Sequence, residues 1–152
     1  MTTEKWDHIR FGKKHYIETS NGAAHELGDA LAELLLHLDP DMIRPRVILC
    51  IGTDRSTGDC LGPLVGTQLL PLASSYYHIY GTLDDPIHAT NLIERKKAIE
   101  EAHPNGIMIA IDASLGTVDQ VGKISIGLGS LRPGAGVKKI SLQWEICISP
   151  VS

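Results

Sequence analysis

Two short apolar runs, RVILCIG and GIMIAIDA, constrain the fold of this chain more than any other feature. Each contains an uninterrupted series of apolar side chains, at 47–51 and at 107–111, and such a series is typical of a strand that is covered on both faces. Segments with the helical spacing of apolar residues lie before and between the two runs. Strands that alternate with helices predict an α/β fold with three layers, in which helices cover both faces of a mostly parallel sheet.

The other segments of the chain complete this prediction. SNGAAHELGDALAELLLHLD and HATNLIERKKAIEEAH have the periodicity of helices, whereas YYHIYG and GKISIGLGS are expected to be further strands. Residues 1–19 are polar and irregular, and we expect them to form an N-terminal arm. Residues 20–139 are expected to form the α/β domain.

Composition excludes several classes of protein. The net charge is −4 and no basic cluster occurs, which argues against a nucleic-acid partner. No apolar run reaches the roughly 18 residues of a membrane helix, and the N-terminus lacks the apolar core of a signal peptide. The three cysteines form no CxxC pair, which fits a reducing cytoplasm and argues against structural zinc.

The glycine-rich stretch CIGTDRSTGDCLGPLVGT, at 50–67, follows the first buried strand. It is not a phosphate loop of the Walker type, because Gly52 and Gly58 are one residue too far apart and Asp59 stands where the lysine should be. The dinucleotide fingerprint GxGxxG is also absent. One interpretation is a tight turn in which Asp59 caps the next helix, and the other is a catalytic loop.

Asp59 and Asp112 are the residues that favour a catalytic loop. Ligands of α/β sheets bind at the carboxyl ends of the strands, and both aspartates are expected there, with Asp112 directly ending its strand. Two neighbouring carboxylates can share one proton, so that one accepts a proton from water while the other protonates the substrate. Alternatively, the pair could hold a divalent cation with His78 or His88 as a third ligand. Asp54 and Arg55 are expected to support the loop.

The sequence VILCIGTDRSTGDCLGPLVGTQLLP resembles the first motif of the YyaC family of sporulation proteins, often called spore proteases. IMIAIDASLG and VGKISIGLGSLRPGAGVKK resemble the second motif of that family, and the resemblance covers most of 21–139. The family is similar to the germination protease of endospore formers and to the hydrogenase maturation proteases. The resemblance implies the phosphorylase/hydrolase-like fold of those proteases, in the cytoplasm of the sporulating cell or the spore.

The resemblance also implies roles for individual residues. Asp59 matches a catalytic aspartate in the T-P-D-A-L-G-P motif of the germination protease, and Asp112 matches the second aspartate in an I-D-A motif. The segment 132–137 resembles the H-P-G-S-G-V segment of that protease, with arginine in place of histidine. In the hydrogenase maturation proteases the carboxylate that matches Asp59 is a metal ligand, but the histidine ligand of that family is not found in this sequence. No cofactor is therefore expected, with a divalent metal as the alternative. The residues implied to bind substrate or to support the loop are Gly52, Thr53, Asp54, Arg55, Thr57, Gly58, Gly62, Gly134 and Gly136.

The tail at 140–152, ISLQWEICISPVS, departs from the family pattern after Lys139. With suitable codons, a shifted reading frame of this tail yields a peptide like the L-P-P-V-G-D that the family has at this point. We therefore expect the tail to be a frameshift product, with the adenines that encode Lys138 and Lys139 as the slip site. A domain truncated in this way is expected to lack its last core strand and to expose an unpaired sheet edge.

Three hypotheses about function follow. The first is a spore endopeptidase that uses Asp59 and Asp112 on a protein or peptide such as a small acid-soluble spore protein. The second is a metal-dependent peptidase of the maturation type, which a chelator would inactivate. The third is a non-catalytic sporulation protein that retains the fold. The sequence predicts neither the cleavage site nor the oligomeric state.

Overall fold

The computed structural model describes residues 3–10, 13–55, 59–116, 122–129 and 141–151 of the chain. The helices in this part are α1 (Asp7–Arg10), α2 (Ala23–Leu38), α3 (Leu61–Leu69) and α4 (Leu92–Ala102). The strands are β1 (His15–Glu18), β2 (Arg46–Cys50), β3 (Tyr77–Tyr80), β4 (Ile107–Gly116), β5 (Lys123–Leu128) and β6 (Ser141–Pro150). Short 3₁₀ turns cover Thr3–Trp6 and Leu70–Leu72. None of the helices in this described part is long and apolar enough to cross a membrane.

The six strands form one mixed sheet in the order β1-β5-β6-β4-β2-β3. β2 pairs in parallel with both β3 and β4, as the alternation of strands and helices predicts. β4 and β6 are antiparallel, and so are β1 and β5, while β5 and β6 are parallel. The chain is therefore α/β, but the expectation of a mostly parallel sheet is wrong. Among the described residues, helices connect β2, β3 and β4 in the βαβ arrangement that makes neighbouring strands parallel.

Helices cover the two faces of the sheet because successive side chains of a strand point to opposite faces. On one face, Ala30 and Leu34 of α2 pack with Ile107 and Ile109 of β4. On the other face, α4 packs with a second cluster that includes Met108, the residue between those two isoleucines. The continuous apolar runs are thus buried from both sides, as their composition predicts.

The N-terminal segment differs from the polar arm that its composition suggests. Trp6, Ile9 and Ile17 are fully buried or nearly so and belong to the same core cluster as α2. Residues His15–Glu18 form the edge strand β1, in register with β5. Among the described residues of this segment, these three apolar side chains lie in the core, so 3–10 and 13–18 pack against the domain.

Three polar side chains bridge this segment to α2. The Nε2 atom of His15 lies 3.0 Å from Oε1 of Glu26, and its Nδ1 atom lies 3.1 Å from Nε2 of His8. The ring of Trp6 contacts His15 edge-on, with 4.7 Å between the ring centroids. Burial, then His15 and Lys13, lower the pKa of His8, so that the folded chain favours the neutral ring.

Acidification is expected to weaken this bridge. Because the folded pKa of His8 is lower than its unfolded value of 6.5, its contribution to stability is complete above about pH 6.5 and is lost as the pH falls through the folded pKa. Glu26 and Asp7 face the cluster and oppose part of this loss, whereas Lys13 adds to it. We expect the melting temperature of His8→Gln to fall less between neutral and mildly acidic pH than that of the parent. Equal losses in the two proteins would contradict this prediction.

The tail at 140–152 also differs from the expectation that the sheet would lose its last strand. Its residues 141–150 form β6, which lies between β4 and β5. The register runs from Ile107 opposite Pro150 to Gly116 opposite Ser141, so β4 has a partner along its whole length. Ile146 and Ile148 enter the core. The alternation of apolar residues in SLQWEICI is the strand signal that accounts for this placement.

Candidate functional site

The carboxyl ends of β2 and β4 meet at one edge of the sheet, where the backbone after Cys50 makes three hydrogen bonds. The N–H of Ile51 donates to the carbonyl of Ile111, at 2.8 Å, and the N–H of Gly52 donates to Ile87, also at 2.8 Å. The N–H of Thr53 donates to the carbonyl of Asp59, at 2.9 Å. The bonds to Ile111 and Ile87 hold the first part of the glycine-rich loop against neighbouring segments of backbone. The bond from Thr53 to Asp59 joins the two ends of the loop.

Gly52 allows the loop to return this closely. Its φ is +154°, a conformation that side chains rarely adopt, and a Cβ atom there would lie 2.1 Å from the carbonyl oxygen of Asp59. The N–H of Arg55 donates to Oγ1 of Thr53, at 3.2 Å, within the loop. Asp54 is exposed. Thr57, Gly58, Gly134 and Gly136 lie outside the described residues.

Asp112 lies inside β4 rather than at its end, which corrects the expectation from the sequence. The pairing of β4 with β2 ends at Ile111, but its pairing with β6 continues to Gly116. Asp112 is therefore the first residue of β4 beyond the parallel pairing, and it is partly buried. The strand continues because β6 supplies a partner that could not be anticipated from the run IMIAI alone.

The two aspartates are tied to the same short segment of backbone. Asp59 is bonded through its carbonyl to Thr53, and Asp112 directly follows Ile111, whose carbonyl accepts from Ile51. Asp59 is partly buried, like Asp112. The structure thus brings both predicted catalytic residues to the edge formed by β2 and β4. Two carboxyl groups in such a position can divide the tasks of accepting and donating a proton.

The two candidate histidines lie in different places. His78 is in β3 opposite Val47, near the start of β2. Its Nε2 atom lies 3.0 Å from the carbonyl oxygen of Ser75, and its ring lies 4.1 Å from that of His103. His88 follows Ile87 and so lies at the same edge as the aspartates, with its Nδ1 atom 2.7 Å from Oγ1 of Thr90. Within the described part of the chain, no group of three acidic, histidine or cysteine side chains is arranged to hold a metal ion.

Cys50 ends β2 beside this edge but is not a nucleophile. It is fully buried, and burial raises the pKa of its thiol to about 12. The thiolate, which is the reactive form, is therefore scarce at neutral pH. Cys50 acts as a small core residue, and the candidate catalytic groups are the carboxyl groups of Asp59 and Asp112.

Helix α3 positions the loop because two of its glycines touch backbone. A Cβ atom at Gly62 would lie 2.1 Å from the carbonyl oxygen of Ile51, and one at Gly66 would lie 2.1 Å from that of Gly81. The two glycines are one helical turn apart, so the same side of α3 approaches the ends of β2 and β3. At Gly62, α3 thus lies directly against the backbone at the start of the loop.

A methyl group at either position is expected to destabilise the protein. Gly66→Ala and Gly62→Ala each force α3 away from rigid backbone, at a cost of about 1–3 kcal/mol or more. Gly28→Ala in α2 is the matched control, because nothing lies within 4 Å of its added Cβ atom. It should stabilise the protein by about 0.5–1 kcal/mol, since alanine favours the helix. Chemical denaturation measures all three, and equal effects would contradict the packing described.

One residue at the site was missed by analysis of the sequence. Glu145 of β6 stands opposite Asp112 in the register, and Ser125 of β5 stands opposite Glu145. The register therefore brings the backbones of β4, β6 and β5 together at Asp112. The signal that could have found this pairing is the alternation of apolar residues in SLQWEICI.

Comparison with known proteins identifies the family to which the chain belongs. A sequence profile described as "Protein of unknown function (DUF1256)" matches residues 15–143. The chain is 53% identical over 127 residues to "Uncharacterized protein YyaC" of Bacillus subtilis (strain 168), and the match covers 84% of this chain and 60% of that protein. The chain therefore spans less than two thirds of the length of this curated relative. No solved structure matches the chain significantly.

Proposed function

Because the chain belongs to the YyaC family of proteins of unknown function (DUF1256), its membership carries no activity with it, and we propose from the site that it is a peptidase. Asp59 and Asp112 hydrolyse a peptide bond in a protein substrate. The observation that carries the proposal is that the backbone at 51–53 bonds to the carbonyls of Asp59 and of Ile111, the residue before Asp112. These bonds support a common position for the two aspartates, which come from segments far apart in the sequence, near the carboxyl ends of parallel strands.

The chemistry requires one carboxylate and one carboxylic acid. The carboxylate takes a proton from a water molecule as the oxygen of that water attacks the peptide carbonyl carbon. The carboxylic acid protonates the carbonyl oxygen, and a proton then passes to the leaving nitrogen as the C–N bond breaks. Two nearby carboxyl groups maintain this difference in protonation, because two carboxylates at short distance would repel each other. Either aspartate can begin as the base, so the two roles are left unassigned.

The resemblance to the germination protease supports a substrate class. We propose that the substrate is a small acid-soluble spore protein, cleaved in the cytoplasm of the sporulating cell or in the spore. The loop at 52–55 lies beside the two acids and is the part of the site expected to contact the substrate backbone. Its open side carries the exposed residues Asp54 and Arg55.

The test is incubation of the full chain with purified small acid-soluble spore protein, followed by intact-mass measurement. Discrete fragments are expected from the parent protein, with and without a chelator. The double variant Asp59→Asn/Asp112→Asn, shown to be folded by its circular dichroism, should produce none. Cleavage that a chelator abolishes would replace the aspartate pair with a metal-dependent reaction. A folded parent that binds the substrate without cutting it would show a binding protein that retains the fold.

A further inference from the structure

One flank of the molecule carries no charged side chain. The segment 60–83 includes α3, the 3₁₀ turn Leu70–Leu72 and β3. It contains no Asp, Glu, Lys or Arg, although 21% of the residues in the whole chain are charged. A solvent-facing helix normally has a polar face with charged residues. The exposed face of α3 has Leu64, Thr67 and Gln68 instead. We call the surface of residues 60–83, together with Met42 and Ile43, the neutral flank.

The neutral flank is also where the exposed apolar side chains of the described residues concentrate. Two hydrogen bonds connect segments of the flank, one between the residues after β3 and α3 and one between Tyr76 and the segment before β2. The N–H of Leu83 donates to Oγ1 of Thr67 in α3, at 2.9 Å, and the hydroxyl of Tyr76 donates to the carbonyl of Met42, at 3.1 Å. The large apolar side chains exposed on it are Met42, Ile43, Leu64, Leu70, Leu72, Tyr77 and Leu83. Large contiguous apolar surfaces are uncommon on monomeric proteins and mark interaction sites.

The sheet edge within the flank does not favour the addition of a strand. β3 is an edge strand of four residues, paired only with β2 among the described strands. Ser74 already binds both backbone groups of Tyr77, because its Oγ accepts from the N–H at 3.1 Å and its own N–H donates to the carbonyl at 2.8 Å. An edge that is blocked in this way resists pairing with another chain. A partner is therefore expected to contact the side chains of the flank.

We propose that the neutral flank is the interface of a symmetric homodimer. A twofold interface brings the same surface of both copies together, so a surface with a net charge faces the same net charge on its partner. The whole chain has a net charge of −4, and the neutral flank is a surface that two copies can bring together without that repulsion. A basic or acidic partner protein would find no opposite charge between 60 and 83. This argument does not depend on the peptidase activity, and the flank leaves the loop at 52–55 outside the interface.

The area required is modest for a chain of this size. A stable interface buries roughly 800 Å² of each partner, and the accessible surface of the protein is 8783 Å². The interface thus needs about a tenth of the surface. Aromatic side chains such as Tyr77 are enriched at the centres of such interfaces, and charged residues are depleted there.

Sedimentation equilibrium of the full chain over a wide range of concentrations tests the proposal. The expected result is a dimer of twice the 16.5 kDa monomer mass. Leu72→Lys, at a side chain 67% exposed, and Leu64→Lys should each raise the dimer dissociation constant by about tenfold or more, because each places two like charges in the interface. Ile93→Lys, at an equally apolar side chain 78% exposed on α4, is the matched control and should leave the dimer unchanged.

Hydrogen exchange of the parent provides a test that needs no variant. Amides of the segment 60–83 should become more protected as the concentration rises, whereas those of α4 should not change. A monomer at every concentration would overturn the proposal, as would polydisperse aggregation. A dimer that Leu72→Lys and Leu64→Lys leave intact, or that Ile93→Lys dissociates, would place the interface elsewhere and would also overturn it.

Discussion

Asp112→Asn is expected to lower the rate of substrate cleavage by about a thousandfold or more, and Asp59→Asn by a similar factor. Asparagine has almost the shape of aspartate, so the backbone bonds at 51–53 should remain. It can neither accept a proton as a carboxylate nor release one as an acid. If the two carboxyl groups act as a unit, each single variant loses nearly as much activity as the double variant, because one group without the other cannot complete the proton transfers.

Initial rates of fragment formation measure this effect, with melting temperatures of all proteins recorded in parallel. Asp84→Asn is the matched control, because Asp84 is exposed in the turn before α4 and lies outside the proposed site. It should retain the parent rate. If either single variant kept a tenth of the parent rate while its stability was unchanged, the shared role of the two aspartates would be ruled out.

Arg46→Met is expected to reduce the free energy of unfolding by about 3–5 kcal/mol, the largest loss of stability expected from a single change in this chain. Nη1 of Arg46 lies 2.7 Å from Oδ2 of Asp39, and the two side chains are 1% and 3% exposed. Burial of the Asp39 carboxylate opposes its ionisation. The hydrogen bond from Arg46 and those from the N–H groups of Arg44 and Ile43 prevail, and they lower the pKa of Asp39. Without Arg46, a buried carboxylate loses its countercharge.

Arg95→Met is the control for this second prediction. Arg95 forms two 2.9 Å hydrogen bonds to Asp85, but Asp85 is 67% exposed and Arg95 is only partly buried, so its loss should cost less than about 1 kcal/mol. The double variant Arg46→Met/Asp39→Leu should regain much of the stability that Arg46→Met loses, since it removes the unpaired charge. Urea denaturation measures the free energy of unfolding of the parent, the two single variants and the double variant. Similar losses in Arg46→Met and Arg95→Met would show that burial does not govern the strength of these pairs.

Local patterns predicted most of the elements that position the site. The continuous apolar runs predicted β2 and β4 and their burial on both faces, because a strand covered by helices needs no polar side. The glycines of the loop predicted a close return of the chain, which Gly52 and Gly62 provide. The common edge of Asp59 and Asp112 followed from the rule that parallel strands present their carboxyl ends together. The predictions that concern 56–58 and 130–140 fall outside the residues that the structure describes.

The predictions that failed concern contacts between distant segments. The few apolar residues of the N-terminal segment are too sparse to signal a strand, yet β5 offers an edge on which His15–Glu18 pairs. The tail has the alternating apolar residues of a strand, and β4 and β5, on which it pairs, come from other parts of the chain. The proposal of a frameshift at Lys138 and Lys139 remains open to a direct test by resequencing of the gene. It is separate from the finding that residues 141–150 pair as a strand.

Residue type and spacing alone predict the two central buried strands, the close return of the chain at its glycines, and the two acids near the carboxyl ends of the parallel pairing. These features are local, since each depends on side-chain type and spacing within a few residues. The position of β6 between β4 and β5, the continuation of β4 past Asp112, and the pairing of Asp112 with Glu145 are known from the folded chain alone. A strand edge bonds to any strand that reaches it, so the order and direction of pairing depend on the packing of the whole chain.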